Sequence, residues 1–600
     1  MKNVYILGIS AFYHNSAAAL VCNGNIVAAA EEERFTRIKG DPSFPVHAIT
    51  FCLEKENITM DDVEKVVFYE DTAEKFGRIV TTALLNAPQG IGQYLHSIPA
   101  WITDKLWIQR KIAKELSVKN DKLLFIPHHL SHAASAFYPS PFERAAVLTL
   151  DGVGEWTTLS WGGCDENGIR LFKELRFPDS LGLLYSAFTV YTGFKVNSGE
   201  YKMMGLAPYG KPVYADLIKE HIVHIYEDGS FVLNKKYFSF TTKMDTINKA
   251  FEDLFGHKRR QPESAMEPFY ADVAASIQAV TDEIILTLAA HIKQATGMRN
   301  LVLAGGVALN VTAMGKLRKS GLFENVWVQP AAGDAGGALG AALYGYHCEQ
   351  KRKKEAKIPI KTVYLGYKIK DADKEDDARL RQLGAVWTVH TEGELQAKIA
   401  QLLNDGKTVA VARGRAEFGP RALGNRSILA DARNADMLQH LNLKIKFREG
   451  FRPFAPAVLE EDAAQYFDID GPSPYMLCTF PVKEERRQAV VFGETLEQTA
   501  AKARSDIPAV THVDYSARVQ TVNKEQNPFF YGILRQFRQR TGCSVVVNTS
   551  FNVRGEPIVN TAEDAYQCFM KSGIEYAVIG NRLFDKQLQK GGESDAKGKE

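Results

Sequence analysis

VYILGIS, residues Val4 to Ser10, reads as a buried β-strand, and the residues after it decide the fold. Ala17 to Val21 reads as a second strand, and Cys22-Asn23-Gly24-Asn25 carries an Asn-Gly hairpin signal ahead of IVAAAEEE. The same arrangement returns further along the chain. Ala145 to Leu150 reads as a buried strand, Asp151-Gly152-Val153-Gly154 as a turn, and Thr157 to Trp161 with Ile169 to Leu175 as a hairpin around Asp165-Glu166-Asn167-Gly168. Two hairpin-led sheets imply two related lobes.

Helical stretches succeed each copy. After the second, Leu301 to Leu303 forms a strand that runs through Ala304 into Gly305-Gly306. Ala331-Ala332-Gly333-Asp334-Ala335-Gly336-Gly337-Ala338 repeats a glycine-rich turn before a small-residue helix, Ala338 to Tyr346. A strand ending in glycines lets a helix N-terminus approach a phosphate without Cβ interference, although close helix packing explains a lone glycine pair more often than a nucleotide does. Four such features in this order resemble the duplicated nucleotide fold of the actin, sugar-kinase and heat-shock ATPase group. The expected class is therefore α/β, with a duplicated N-terminal domain followed by a second α/β domain.

Length agrees with several domains, because 600 residues exceed what one hydrophobic core usually organises. The 73 Lys and Arg nearly cancel the 71 Asp and Glu, for a net charge of +2, so no whole-protein field attracts nucleic acid or acidic lipid. Seven scattered cysteines without a C-x-x-C pair argue against a disulfide scaffold or a zinc ribbon. The N-terminus has no signal-peptide pattern and no window holds about 18 apolar residues free of charge, so a cytoplasmic protein without membrane or nucleic-acid partners is expected.

The composition shifts at QKRKKEAKIPIK, residues 350–361, and strand and helix signals then alternate: Val386 to Thr388, the helix Glu392 to Asn404, the strand Thr408 to Ala412, and later Ser544 to Val547. The expected division is a first domain over 1–355, a linker region over 356–385, a second domain over 386–590, and a flexible tail over 591–600.

Two groups of residues could carry chemistry. In HHLSHAASAF, His128 and His132 are spaced i, i+4 and share one helix face, whereas His129 points elsewhere. Asp151 ends a strand 19 residues after His132 and Asp334 sits in the last glycine-rich turn. Such a mixed nitrogen and oxygen set suits Fe(II), Mn or Zn, while the H-x-x-x-H alone reads as well as two core histidines. The stretch Arg413 to Arg452 is the other concentration, with nine basic residues against four acidic ones, a local +5. Arginine forks match phosphate and carboxylate, and the interleaved Phe418, Gly419, Pro420, Gly424, Phe447, Phe451 and Pro453 suggest a shaped anion pocket. Arg518 and the turn Asn548-Thr549-Ser550-Phe551-Asn552 could add donors. The alternatives are a surface charge run or an RNA-binding patch.

The motifs GISAFYHNSAAAL, EEERFTRIKGD, HHLSHAASAF, LDGVGEW, SGEYKMMGLAPYG, GGVALN, GDAGGALGAA, RAEFGPRALGNRSILADAR, KFREGFRPFAPAV, ARVQTV and NTSFNVRGEPIV, in this order, resemble the O-carbamoyltransferases of nodulation-factor, cephamycin, tobramycin, ansamycin and saxitoxin biosynthesis. That resemblance implies a TsaD-like N-terminal domain and a YrdC-like C-terminal domain. It implies that the C-terminal domain takes carbamoyl phosphate and Mg-ATP to carbamoyl adenylate and pyrophosphate. The N-terminal domain would then transfer the carbamoyl group to a hydroxyl of a small molecule. It also implies that Arg421, Lys446, Arg452, Arg518, Ser550 and Asn552 hold carbamoyl phosphate and the nucleotide phosphates. His128, His132, Asp151 and Asp334 would bind the metal, usually iron as Fe(II), and Gly305, Gly306, Asn310 and Gly333 would cradle a nucleotide. His14 becomes the candidate base for the acceptor's proton, against a structural histidine in a turn. Lys39 becomes an anion or acceptor contact, against a solvated lysine.

A tRNA threonylcarbamoyladenosine-type transferase and a sugar-kinase-like phosphotransferase are the other readings. The near-neutral charge and the motifs KFREGFRPFAP and NTSFNVRGEP stand against the first, and the fused arginine-rich domain stands against the second. The acceptor is open among aminoglycoside, lipo-oligosaccharide, macrolactam and guanidinium-toxin classes, and a homodimer is one option for the assembly.

Overall fold

The computed structural model describes residues 3–88, 107–243, 245–349, 358–491 and 495–589. It divides into two compact units: 1–32 with 42–360, and 33–41 with 361–600. The tail expected over 591–600, and residues 350–357 of the charge run and linker, lie outside the described residues.

The first unit contains the duplication. Its first sheet is ordered Asn25–Glu31, Ala17–Cys22, Tyr5–Ser10, Val63–Phe68, Leu123–Phe125. Tyr5–Ser10 pairs antiparallel with Ala17–Cys22 on one side and parallel with Val63–Phe68 on the other. The second sheet runs Gly168–Arg176, Thr157–Asp165, Ala145–Leu150, Asn300–Ala304, Asn325–Val328, with the same succession of antiparallel and parallel pairs. Both central strands are buried along their whole length, as continuous apolar runs require. Asn23 and Gly24 close the first hairpin with φ of 48° and 80°, the type I′ geometry that suits the twist of paired strands.

Two helices meet at the centre of this unit, His128–Phe137 and Asp334–Tyr344. The second begins at Asp334, four residues earlier than the small-residue run suggests. A Cβ at Gly340 would overlap the Ser131 carbonyl oxygen, and one at Gly8 would overlap the Ala338 carbonyl oxygen. Glycine in this helix therefore serves backbone-to-backbone packing. The helix Pro268–Thr296 is, among the described residues, the one long and apolar enough to cross a membrane, and 72% of its apolar window is buried inside the protein. Asp282 and Glu283, which interrupt the apolar run, are part of that helix.

The second unit is built on an eight-stranded mixed sheet, in the order Thr388–Val389, Arg582–Asp585, Tyr576–Ile579, Val409–Ala412, Arg426–Asp431, Val545–Ser550, Ala455–Leu459, Gln520–Val522. The helix Glu392–Asn404 opens with a capping box between Thr391 and Glu394, and this is why its start is legible in the sequence. The segment 356–385, expected as a linker, holds in its described part a short strand, Lys368–Ile369, and a helix, Lys374–Gln382, capped by Asp373.

Residues 33–41 group with this unit although the first unit surrounds them in sequence. Arg34 donates to the Gly419 carbonyl at 3.0 Å. Arg37 donates to the carbonyls of Ile558 and Pro557 at 2.6 and 2.9 Å and lies 3.5 Å from Asp564.

Candidate functional site

In the first unit the i, i+4 spacing of His128 and His132 puts both imidazoles on one face of a helix whose N-terminus comes directly after Pro127. Their Nε2 atoms are 3.0 Å apart, and the Asp151 Oδ2 lies 3.0 Å from His128 Nε2 and 3.9 Å from His132 Nε2. Asp334, the first residue of its helix, places Oδ1 3.8 Å from each Nε2. One donor atom from each of the four residues falls within 4.8 Å of all the others. A divalent ion with bonds of about 2.1 Å brings adjacent donors to about 3 Å, so these spacings fit one ion. The Nδ1 atoms of both histidines are buried without a hydrogen-bond partner, so the polar reach of both rings runs through Nε2 into the cluster.

The electrostatics agree with a concentrated polar centre. Burial works against the charged form of His128, yet the Asp151 hydrogen bond and the Asp334 charge push its pKa up to about 9. Burial, then the charge on His128, hold His132 well below the ordinary histidine value. Burial raises the Asp334 carboxyl. The Gly306 N–H donates to Asp151 Oδ1 at 3.0 Å, so the glycine turn orients a carboxylate of the cluster. His14 is partly exposed, with Nδ1 3.9 Å from Asp334 Oδ2. It stands in a loop where Phe12 and Asn15 both take positive φ, 71° and 56°, a strained backbone of the sort found at functional sites.

Other expected residues have local partners. His129 Nδ1 meets Thr149 Oγ1 at 2.7 Å in the core, away from the pair. Asn310 caps the helix Val311–Lys319 through Ala313 N–H and exchanges two 3.1 Å hydrogen bonds with Gln278. A side chain at Gly333 would meet no neighbour, whereas one at Gly305 would overlap the Leu150 carbonyl oxygen.

In the second unit the basic stretch 413–452 sorts into two groups. Arg413 pairs with Asp371 at 2.8 Å and Glu392 at 2.9 Å, and Arg433 pairs with Asp431 at 2.7 Å. Arg415 donates to the carbonyls of Gly366 and Leu365. Arg426 is fully buried and donates to the carbonyls of Tyr367, Arg413, Gly414, Asn425 and Asn560. These four arginines hold the fold, so the local +5 overstates the pocket.

The second group converges. Burial, together with the charges of Arg421, Arg448 and Arg452, holds the Arg518 pKa well below the ordinary arginine value, and Glu449 lies 3.6 Å from Arg452. Lys446 is buried, its Nζ donates to the Ser550 carbonyl, to Ser550 Oγ at 3.3 Å and to Asn552 Oδ1 at 3.0 Å, and its pKa is likewise lowered. Burial is the main cause, followed by Arg448, with Arg452 and Lys39 adding to it. Lys39, on the segment that Arg34 and Arg37 anchor, lies close enough for its charge to reach Lys446. Arg448, which the resemblance did not single out, is oriented by Asn442 Oδ1 at 2.6 Å and by the Phe454 ring, 4.6 Å from its centre. The KFRE spacing carried its signal. Five cations gathered about Arg518 and Lys446, with Glu449 3.6 Å from Arg452, suit an anion of high charge, such as a phosphate group.

The first unit thus combines a duplicated α/β fold with a two-histidine, two-aspartate cluster, and the second gathers cations about Arg518 and Lys446. Residues 5–343 match the carbamoyltransferase N-terminus model and residues 400–586 the carbamoyltransferase C-terminus model, and the chain belongs to that family. An uncharacterized protein of Synechocystis is 49% identical, over 99% of both chains. The nodulation protein NolNO of Sinorhizobium fredii is 36% identical, over 96% of this chain and 79% of its own length. Among solved structures, component A of the (R)-2-hydroxyglutaryl-CoA dehydratase of Acidaminococcus fermentans is 15% identical with a TM-score of 0.31, over 59% of this chain and all of that one. The protein is a carbamoyltransferase.

Proposed function

We propose that the protein is an ATP-dependent O-carbamoyltransferase whose two units divide the reaction. In the second unit, carbamoyl phosphate is hydrolysed to carbamate and phosphate. A carbamate oxygen then attacks the α-phosphorus of ATP, pyrophosphate leaves and carbamoyl adenylate forms. Arg421, Lys446, Arg448, Arg452 and Arg518, with Ser550, Asn552 and Lys39, bind the phosphates of carbamoyl phosphate and ATP and offset the charge that develops on the departing pyrophosphate. The observation that carries this reading is the gathering of Arg518 with Arg421, Arg448 and Arg452, beside a Lys446 whose Nζ is held by Ser550 and Asn552.

In the first unit, the acceptor hydroxyl oxygen attacks the carbamoyl carbon, the bond to the adenylate oxygen breaks and AMP leaves. His14 takes the hydroxyl proton, held at the cluster's edge by Asp334. His128, His132, Asp151 and Asp334 would hold a divalent cation, Fe(II) in the first instance, which supplies Lewis-acid polarisation. The acceptor in this reading is a hydroxyl of a small molecule, a natural product or a sugar. Pyrophosphate release that requires both ATP and carbamoyl phosphate, followed by carbamoylation of a hydroxylated acceptor, is the expected result. Hydrolysis of ATP indifferent to carbamoyl phosphate would overturn it.

A further inference from the structure

The helix bearing both histidines lacks a cap of its own. Pro127 precedes it with no side-chain acceptor, while the first N–H groups of any helix need partners outside it. Leu130 and Ser131 find the Pro127 carbonyl at 3.0 Å each. The His128 N–H finds Glu155, 2.9 Å from Oε1 and 3.2 Å from Oε2. Glu155 Oε1 also accepts the Asp71 N–H at 2.7 Å, and Asp71 itself caps the helix Thr72–Leu85 through the N–H groups of Ala73 and Glu74. One carboxylate, 5% exposed, thus ties together the starts of two helices.

Glu155 stands four residues after Asp151 in the turn LDGVGEW. Asp151 grips the His128 ring at Nε2, and Glu155 grips the same residue's main chain. Between them, Gly154 leaves room for that ring, since a Cβ there would stand 3.0 Å from His128 Cβ and Cδ2. A ring pulled by one end of a turn, with its backbone unheld, would rotate about Cα–Cβ and carry Nε2 out of register with the other donors.

We infer that Glu155 is a positioning residue for the His128, His132, Asp151 and Asp334 donor set, fixing the His128 main chain so that Nε2 meets the other three donors. The inference rests on the metal-binding part of the proposed function for its affinity readout and on nothing beyond the structure for its structural readout. Glu155→Gln keeps an oxygen acceptor at the same reach, Glu155→Ala removes it, and Glu155→Asp withdraws it by one methylene.

The test uses the full-length chain, stripped with chelator and titrated with Co(II), alongside hydrogen–deuterium exchange over residues 127–137. Groups that orient metal ligands typically change affinity by about 10- to 100-fold when removed. Glu155→Ala is expected to weaken Co(II) binding by about tenfold or more and to speed exchange at the start of the helix. Glu155→Gln is expected to restore both, and Glu155→Asp to fall between, serving in place of the alanine variant if that does not fold. Wild-type affinity and wild-type exchange in Glu155→Ala would overturn the inference, as would a glutamine variant as impaired as the alanine one. If the wild type itself binds no divalent ion, the metal reading fails separately, and unchanged exchange in Glu155→Ala would still overturn the positioning role.

Discussion

Replacing Arg518 with methionine should move stability and function in opposite directions. In the folded protein the guanidinium is half-buried against Arg421, Arg448 and Arg452, and its depressed pKa records that the fold disfavours its charge. Methionine has similar reach without charge, so Arg518→Met relieves the repulsion and is expected to stabilise the protein by about 1 kcal/mol, a rise of about 2 °C in the unfolding midpoint. The same change removes a forked donor from the anion site. Hydrogen bonds to charged groups contribute about 1.5–3 kcal/mol each, so losing even one weakens pyrophosphate or carbamoyl phosphate binding by about 10- to 150-fold. Isothermal titration with each anion and a thermal melt read the two effects on the same preparation. Arg518→Lys separates charge from shape: it keeps the cation, loses the fork, and should recover only part of the affinity. A methionine variant that melts lower and binds pyrophosphate as the wild type does would refute the reasoning, because Arg518 would then be a structural arginine like Arg426.

Three further outcomes are expected. His132→Ala, lacking one of four donors, should purify with little metal by elemental analysis while retaining carbamoyl-phosphate-dependent pyrophosphate release, the step proposed for the other unit. Arg426→Ala should lose more than about 3 kcal/mol of stability, seen as a lower denaturant midpoint, because five carbonyls lose a buried charged donor. Gly340→Ala should lower the melting temperature and the metal content together, because the added methyl must displace the Ser131 backbone in the helix that carries both histidines.

The sequence by itself determined what is local. Continuous apolar runs such as Tyr5–Ser10 and Ala145–Leu150, the Asn23-Gly24 turn and the Thr391–Glu394 capping box are each decided by residues close in the chain, and the sheets and helix starts appear where those signals stand. The i, i+4 pairing of His128 and His132 is equally a property of one helical turn. Tertiary structure decided the rest, since the partner of a long charged side chain depends on which distant segment arrives beside it. Arg413 and Arg426 look like Arg421 and Arg518 in composition, yet the first two meet carboxylates and carbonyls and the last two meet other cations. Residues 33–41 fall within the first domain expected over 1–355, but Arg34 and Arg37 find their acceptors in the second unit. Glu155 carries no signal in a polar turn, and only the approach of that turn to an uncapped helix start gives its carboxylate a task.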